Sequence, residues 1–516
     1  MSFIVEHGPA LAIAVPLMAA FATPLISRAG GRARNGVALL ALLLTECILV
    51  LLFADVLSSG VRVYTMGATI PSLTSPVGYP IRIILEVDAM SALMALVSVT
   101  IALAVCIYSM RFMRSRDGMG YYYALLLMIT VGMLGLVMTG DLFNMFVFLE
   151  ILSISSGAII AFYVNRGEAS EAAFKYAVIS AAGALMVLLA VCFLYGQYNL
   201  LNIGALAGVM QFTFLDKIAL VLLVSAFALK CGAVPLHMWV SDAYSEAPAP
   251  ISAALVVISQ ASLYALFRVC FTLFGAMPVI GVIGWFIIGL GVLSMFIGVT
   301  MAIPQHDIKR LMAYHAVSQT GYILLGLGVG LAVLGNAEAI GSFGIKAMEG
   351  AIFHMVNNAL FKGLLFLTAG AIIYRTGTRD LNKLGGLAHA MPVTTCFFII
   401  GMLSIAGLPP FNGFSSKILI YESVFMFSPV LSIIAILVSI LTLASFVKVF
   451  QSAFLGPKRR EYKDVKEVPV AMLIAMGILA FFIILFGLLP DLAVQWLIEP
   501  AAKALLSQLN YVGAIV

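Results

Sequence analysis

The chain has 516 residues, 63% of them hydrophobic and 10% charged, against about 25% charged in a soluble domain, so water cannot be its only solvent. Its net charge of +5 lies in short loops between apolar runs, not on one face or in one tail, which argues against a nucleic-acid-binding module. Cys47, Cys106, Cys192, Cys231, Cys270 and Cys396 are scattered without metal-ligand spacing and read as small buried hydrophobes, so no zinc or iron–sulfur site is expected.

Apolar runs of about twenty residues, enough to cross ~30 Å of hydrocarbon, recur from end to end. A lone signal peptide does not repeat in this way. The reading is an all-α polytopic membrane protein of about 14 transmembrane helices. Spans are predicted at 9–27, 35–57, 86–110, 122–139, 142–164, 171–195, 215–236, 250–274, 279–303, 310–333, 346–374, 392–424, 429–455 and 468–489. A last stretch, 491–510, has apolar residues at helical spacing with Lys503 and Gln508 among them, and is expected to lie at the interface.

Loops after odd-numbered spans hold 18 lysines and arginines, and loops after even-numbered spans hold four: Arg62, Arg82, Lys217 and Lys346. The excess marks the cytoplasmic side, so both termini should face outward from the cell membrane. Two spans carry breakers. Span seven reads ALKCGAVPLHMW, with Gly232 and Pro235; span twelve reads SIAGLPPFNGFSSK, with Gly407, Pro409, Pro410 and Gly413. Broken helices at matching places in two halves point to a transport site in an inverted-repeat protein. Five spans separate the breaks, which predicts two inverted five-helix repeats at 122–274 and 279–455. Residues 1–121 and 456–516 then form N- and C-terminal additions.

Six of the 28 basic residues fall outside the loops: Lys230, Arg268, Lys362, Lys417, Lys448 and Lys503. Arg268, Lys448 and Lys503 lie near span ends and are expected to snorkel outward. Lys230, Lys362 and Lys417 lie deeper. A lysine at the bilayer centre costs about 2.5–3.5 kcal/mol on insertion scales, and desolvation weakens its hold on the proton. Such a lysine becomes a proton carrier, whereas an arginine stays charged.

Glu150, in FVFLEILSISSG, is the acidic counterpart, followed by Ser153, Ser155 and Ser156. A pair with Lys230 across the bundle would offset both desolvation costs; the alternative is a static lock between two helices. In AIFHMVNNALFKGLLF, His354, Asn358 and Lys362 are spaced i, i+4, i+8 along one helix face. His354 is a candidate proton relay. His315, Gln319 and Tyr322 share a face of span ten, either as relay groups or as helix-to-helix contacts. Lys417 follows the second break, with Glu422 five residues on, and Glu46 lies outside the repeats as a candidate interface residue. No P-loop, zinc motif or dinucleotide fingerprint occurs, so no cofactor is expected and any driving reaction comes from elsewhere.

These residues resemble the antiporter-like subunits shared by respiratory complex I, multisubunit Mrp-type sodium/proton antiporters and membrane-bound hydrogenases. The landmarks are ILEVDAMSALM near Asp88, GDLFNMFVFLE ending at Glu150, ALKCGAVPLHMWVSDAYSEAPAPISAAL around Lys230, DIKRLMAY, HMVNNALFKGLLF around Lys362, and GLPPFNGFSSK ending at Lys417. The wording around Glu150 is most similar to the D subunit of the Mrp group. The resemblance implies a hydrophilic axis at the membrane midplane, membrane subunits as partners, and protons with or without sodium as cargo. By match, Glu150 and Lys230 serve the first half-channel, His354 and Lys362 the second, and Lys417 the terminal lysine. Two positions depart from the pattern. Gln260 in SQASLYALFR and Asn358 in NALFK stand where relatives often carry lysine and histidine, and neither can hold charge.

Overall fold

The computed structural model describes residues 2–66, 83–114, 116–457, 459–462 and 464–514; the loop residues Arg82, Lys458 and Lys463 lie outside these. Hydrocarbon offers the backbone no partners, so each apolar run satisfies its own N–H and C=O groups as a helix. The long helices are α1 (Gly8–Ile26), α2 (Gly31–Ser59), α3 (Ala89–Phe112), α4 (Met119–Met138), α5 (Leu142–Ile160) and α6 (Gly167–Tyr198). The first break divides α7 (Phe214–Cys231) from α8 (Met238–Glu246). Next come α9 (Ala249–Phe267), α10 (Ile280–Ala302), α11 (Ile308–Ala332) and α12 (Ile345–Thr376). The second break divides α13 (Pro392–Ala406) from α14 (Asn412–Phe427), and α15 (Pro429–Phe450) and α16 (Val470–Leu488) follow.

Among the described residues, 11 helical segments are long and apolar enough to cross a membrane. The two broken spans and the polar α11 are not among them. The segment containing α9 is buried along its whole apolar window, whereas those of α1 and α16 are about one third buried. The centre of the bundle is therefore α9 with α12, and α1 and α16 lie at its rim. Large apolar side chains on the rim, such as Phe174, Val282 and Phe481, are exposed, as a lipid-facing surface requires.

Polar side chains fix where helices start. Asp88 accepts from Ser91 N at 2.9 Å, Asp141 from Asn144 N at 2.7 Å, and Asp307 from Lys309 N at 2.9 Å. Thr213 and Asp216 form a capping box at α7. Small residues let α10 and α11 approach closely. A Cβ on Gly298 would meet Ser318 N at 2.5 Å, and one on Gly321 would meet Gly291 O at 2.5 Å.

A two-stranded antiparallel sheet precedes α3, pairing β1 (Arg62–Thr65) with β2 (Ile84–Val87) from Arg62 opposite Val87 to Thr65 opposite Ile84. The C-terminal stretch folds as short helices whose Ala501, Ala502 and Leu505 are buried, while Lys503 pairs outward with Glu499 at 2.6 Å.

Two sequence expectations are corrected. Arg268 does not snorkel: it is fully buried, pairs with Asp88 at 2.7 Å, and lies 4.5 Å from the Tyr511 ring. The helix continues past Phe267 as a π-turn, which carries Arg268 inward instead of ending at a surface. Of the cysteines, Cys47, Cys192 and Cys396 are exposed on the rim; only Cys106, Cys231 and Cys270 are buried. In a bilayer an apolar position faces lipid as readily as core, so a hydrophobic neighbourhood does not imply burial.

Candidate functional site

Both breaks use the same local chemistry. Helix α7 ends at Gly232 with φ of +77°, and α13 ends at Gly407 with φ of +76°. Only glycine adopts that left-handed turn without cost. At the first, Ala233 N returns to Ala228 O at 2.9 Å; at the second, Leu408 N returns to Leu403 O at 3.0 Å. The carbonyls left over are taken by side chains. Trp239 Nε1 donates to Leu229 O at 3.1 Å, Lys417 Nζ to Ile405 O at 2.8 Å, and Ser439 Oγ to Ala406 O at 2.8 Å.

In the first half, Lys230 is 6% exposed and donates to Ser153 Oγ and Ser180 Oγ, each at 2.6 Å. Ser180 in turn donates to Ser153 at 3.0 Å. Beside them is a cavity of about 10 Å³ lined by Tyr176, Trp239, Ile258 and Ser262, with room for one water at most. The direct Glu150–Lys230 ion pair expected from the sequence is not formed. Glu150 is half-buried one turn before Ser153, and the lysine reaches the serines instead. Ser180, on α6, has no sequence signal of its own among many helix serines.

In the second half, Lys362 and Lys417 are 0% and 1% exposed. Lys362 donates to Met312 O at 2.7 Å and lies 5.9 Å from the Phe446 ring. Lys417 also donates to Ser439 Oγ at 2.9 Å and lies 4.7 Å from the Tyr322 ring. His354 bonds Ser416 Oγ at 3.0 Å through Nδ1 and Gln319 Oε1 at 3.1 Å through Nε2. The shared face of α11 is thus engaged at three points, with His315 on Ser445 Oγ at 2.8 Å and Tyr322 on Ala435 O at 2.7 Å. Asn357, next to the expected Asn358, exchanges bonds with Asn412 at the second break, both 2.8 Å.

None of these three lysines makes an ion pair among the described residues; their partners are hydroxyls and carbonyls. A hydroxyl both donates and accepts, so it can pass a proton on, whereas a carbonyl only accepts. Ser153, Ser180, Ser416, Ser439 and Ser445 therefore supply proton-passing contacts around the lysines and histidines. Gln260 and Asn358 interrupt that supply: Gln260 Oε1 and both amide atoms of Asn358 are buried without partners. Glu422 is exposed and takes no part, and Glu46 accepts from Thr100 at 2.7 Å away from the row.

Residues 139–442 match the family described as NADH:quinone oxidoreductase/Mrp antiporter, TM, and residues 75–123 match the N-terminus of complex I chain 5. The largest-subunit match, a Na(+)/H(+) antiporter protein from Alkalihalophilus pseudofirmus, is 34% identical over 95% of this chain, which spans 62% of that protein's length. The N subunit of NADH-quinone oxidoreductase from Desulforudis audaxviator is 32% identical over 96% of this chain and 98% of its own. One component of the Mrp complex structure from a Dietzia species superposes with a TM-score of 0.87 at 25% identity, covering 98% of this chain and 99% of that one. The chain belongs to the family of antiporter-like membrane subunits shared by Mrp antiporters and complex I.

Proposed function

We propose that this chain is the proton-translocating subunit of a multisubunit membrane complex, either an Mrp-type sodium/proton antiporter or a redox-driven pump of the hydrogenase and complex I kind. The observation that carries this reading is the row of Lys230, Lys362 and Lys417, buried in the bundle with only neutral oxygens for partners. A buried charge is costly and is retained for a task. Lys230, Lys362 and Lys417 hand protons along the row, His354 relays between α11 and α14, and Glu150 biases Lys230 from a distance. The protein has no redox or hydrolytic site of its own and takes its drive from partner membrane subunits.

With each broken pair counted as one span, and α11 included, the long helices number 14. Residues 122–274 and 279–455 form the inverted repeats, flanked by 1–121 and 456–516, and both termini face outward from the cell membrane. A second reading rests on Gln260 and Asn358: a scaffold protein that has lost the bridge between its halves. In that case Lys417→Ala leaves ion movement unchanged, while deleting the chain dismantles the complex.

The test is to extract the complex gently and identify what co-purifies. Metal-bearing subunits assign the redox-driven pump, and small membrane subunits alone assign the antiporter. A monomer that moves ions by itself in liposomes contradicts both.

A further inference from the structure

Away from the lysine row, on the face rich in loop arginines, lies a cleft of about 240 Å³. Its lining includes Arg116, Arg166, Lys309, Arg379 and Glu246. Arg379 is already neutralised, with Nη2 2.7 Å from Glu246 Oε1 and Nε 2.7 Å from Asp307 Oδ2. The other three cations have no carboxylate within ion-pairing range among the described residues. Lys309 reads as a loop charge in the sequence, yet it is 3% exposed and its amine donates only to Ala247 O. The cleft therefore holds three uncompensated positive charges, one of them buried.

The cations are held in place. Both arginine guanidiniums lie over the Tyr163 ring, Arg116 at 5.3 Å and Arg166 at 5.0 Å, and neither donates a side-chain hydrogen bond to the described residues. Each guanidinium has five N–H donors and the ammonium three, of which Lys309 uses one. Like charges gathered in a partly desolvated cleft repel one another unless an anion fills it. A tetrahedral oxyanion matches this donor set, because a guanidinium grips phosphate through two parallel bonds and an ammonium as a point charge. Phe112, Ile373 and Tyr374 form an apolar side of the same cleft, and Tyr374 is 40% exposed.

We infer that this cleft binds a phosphate group through Arg116, Arg166 and Lys309. The phosphate belongs either to the headgroup of an anionic phospholipid, whose chains would run along Phe112 and Tyr374, or to a free phosphate. Basic pockets between helices on the cytoplasmic side recognise such headgroups. The ligand bridges the α5–α6 loop to the start of α11, one element from each half of the bundle. This inference is independent of the proton reading.

The test uses the intact complex and the double variant Arg116→Gln/Arg166→Gln, whose positions are exposed and outside the lysine row. Native mass spectrometry from nanodiscs of phosphatidylglycerol or phosphatidylcholine reads retained lipid, and radiolabelled inorganic phosphate in detergent reads the free anion. The expected result is retention of phosphatidylglycerol over phosphatidylcholine, lowered about tenfold or more in the variant, as loss of charge-assisted hydrogen bonds implies. Saturable phosphate binding lost in the variant, without lipid preference, assigns the free anion. Equal binding of both probes by the native complex and an equally well-assembled variant overturns the site.

Discussion

The two breaks are near copies in backbone, yet their lysines use them differently. In the first half Trp239 occupies the freed carbonyl of Leu229, and Lys230 rests on two serine hydroxyls instead. In the second half the lysine itself, Lys417, occupies the freed carbonyl of Ile405. Lys230 is thus free of its break and set among groups that can exchange protons, whereas Lys417 is tethered to the turn. A shift at Gly407 would release Lys417, and the equivalent shift at Gly232 would leave the Lys230–serine contacts in place. The same turn serves as support in one half and as a ligand in the other.

The largest test of that comparison removes the tether and its neighbour. Lys417→Ala and Lys362→Ala should each lower ion movement about 100-fold or more, the scale of a lost proton-transfer group. Lys417→Arg should not restore it, because a guanidinium keeps its proton. Ion-driven dye quenching in vesicles checks this, with the composition of the complex measured in parallel. Loss of the first-half hydroxyls in Ser153→Ala/Ser180→Ala should cost less, about tenfold, because one water could replace them.

Glu150→Gln sharpens the first half further. With no direct ion pair to lose, it should slow ion movement only about two- to threefold, in line with a screened, half-buried charge. A loss as deep as that of Lys230→Ala would mean that the carboxylate moves onto the lysine during the cycle.

The smallest effect concerns Asp141, which caps the helix carrying Glu150 and Ser153 and has no acidic counterpart at the Gly344 start of α12. Burial raises its pKa from 3.8 to about 6. Its contribution to stability is therefore full below the unfolded value near 4 and is lost as pH rises through about 6. Asp141→Asn keeps a capping oxygen and cannot ionise. It should match the native protein below pH ~4 and unfold a few degrees higher above pH ~6, as thermal unfolding across that range will read.

Much of this arrangement was legible in the sequence because hydrocarbon leaves few options. Long apolar runs become helices, Gly-Pro clusters break them, and a lysine such as Lys362 within such a run is conspicuous. The illegible part is what lies across the bundle. Arg268 reads as a span-end residue because nothing nearby in sequence announces Asp88 or Tyr511, 180 residues before it and 243 after it. Glu150 and Lys230 read as partners because they are complementary charges, while Ser153 and Ser180 are two among many helix serines. Lys309 reads as a loop charge, although its amine points inward to Ala247.

The most direct test of the account is proton uptake by everted vesicles carrying the assembled complex, native or Lys362→Ala. The account predicts that the variant assembles with its full set of partners and that proton uptake nearly vanishes. Uptake at the native rate from a fully assembled Lys362→Ala complex would contradict it.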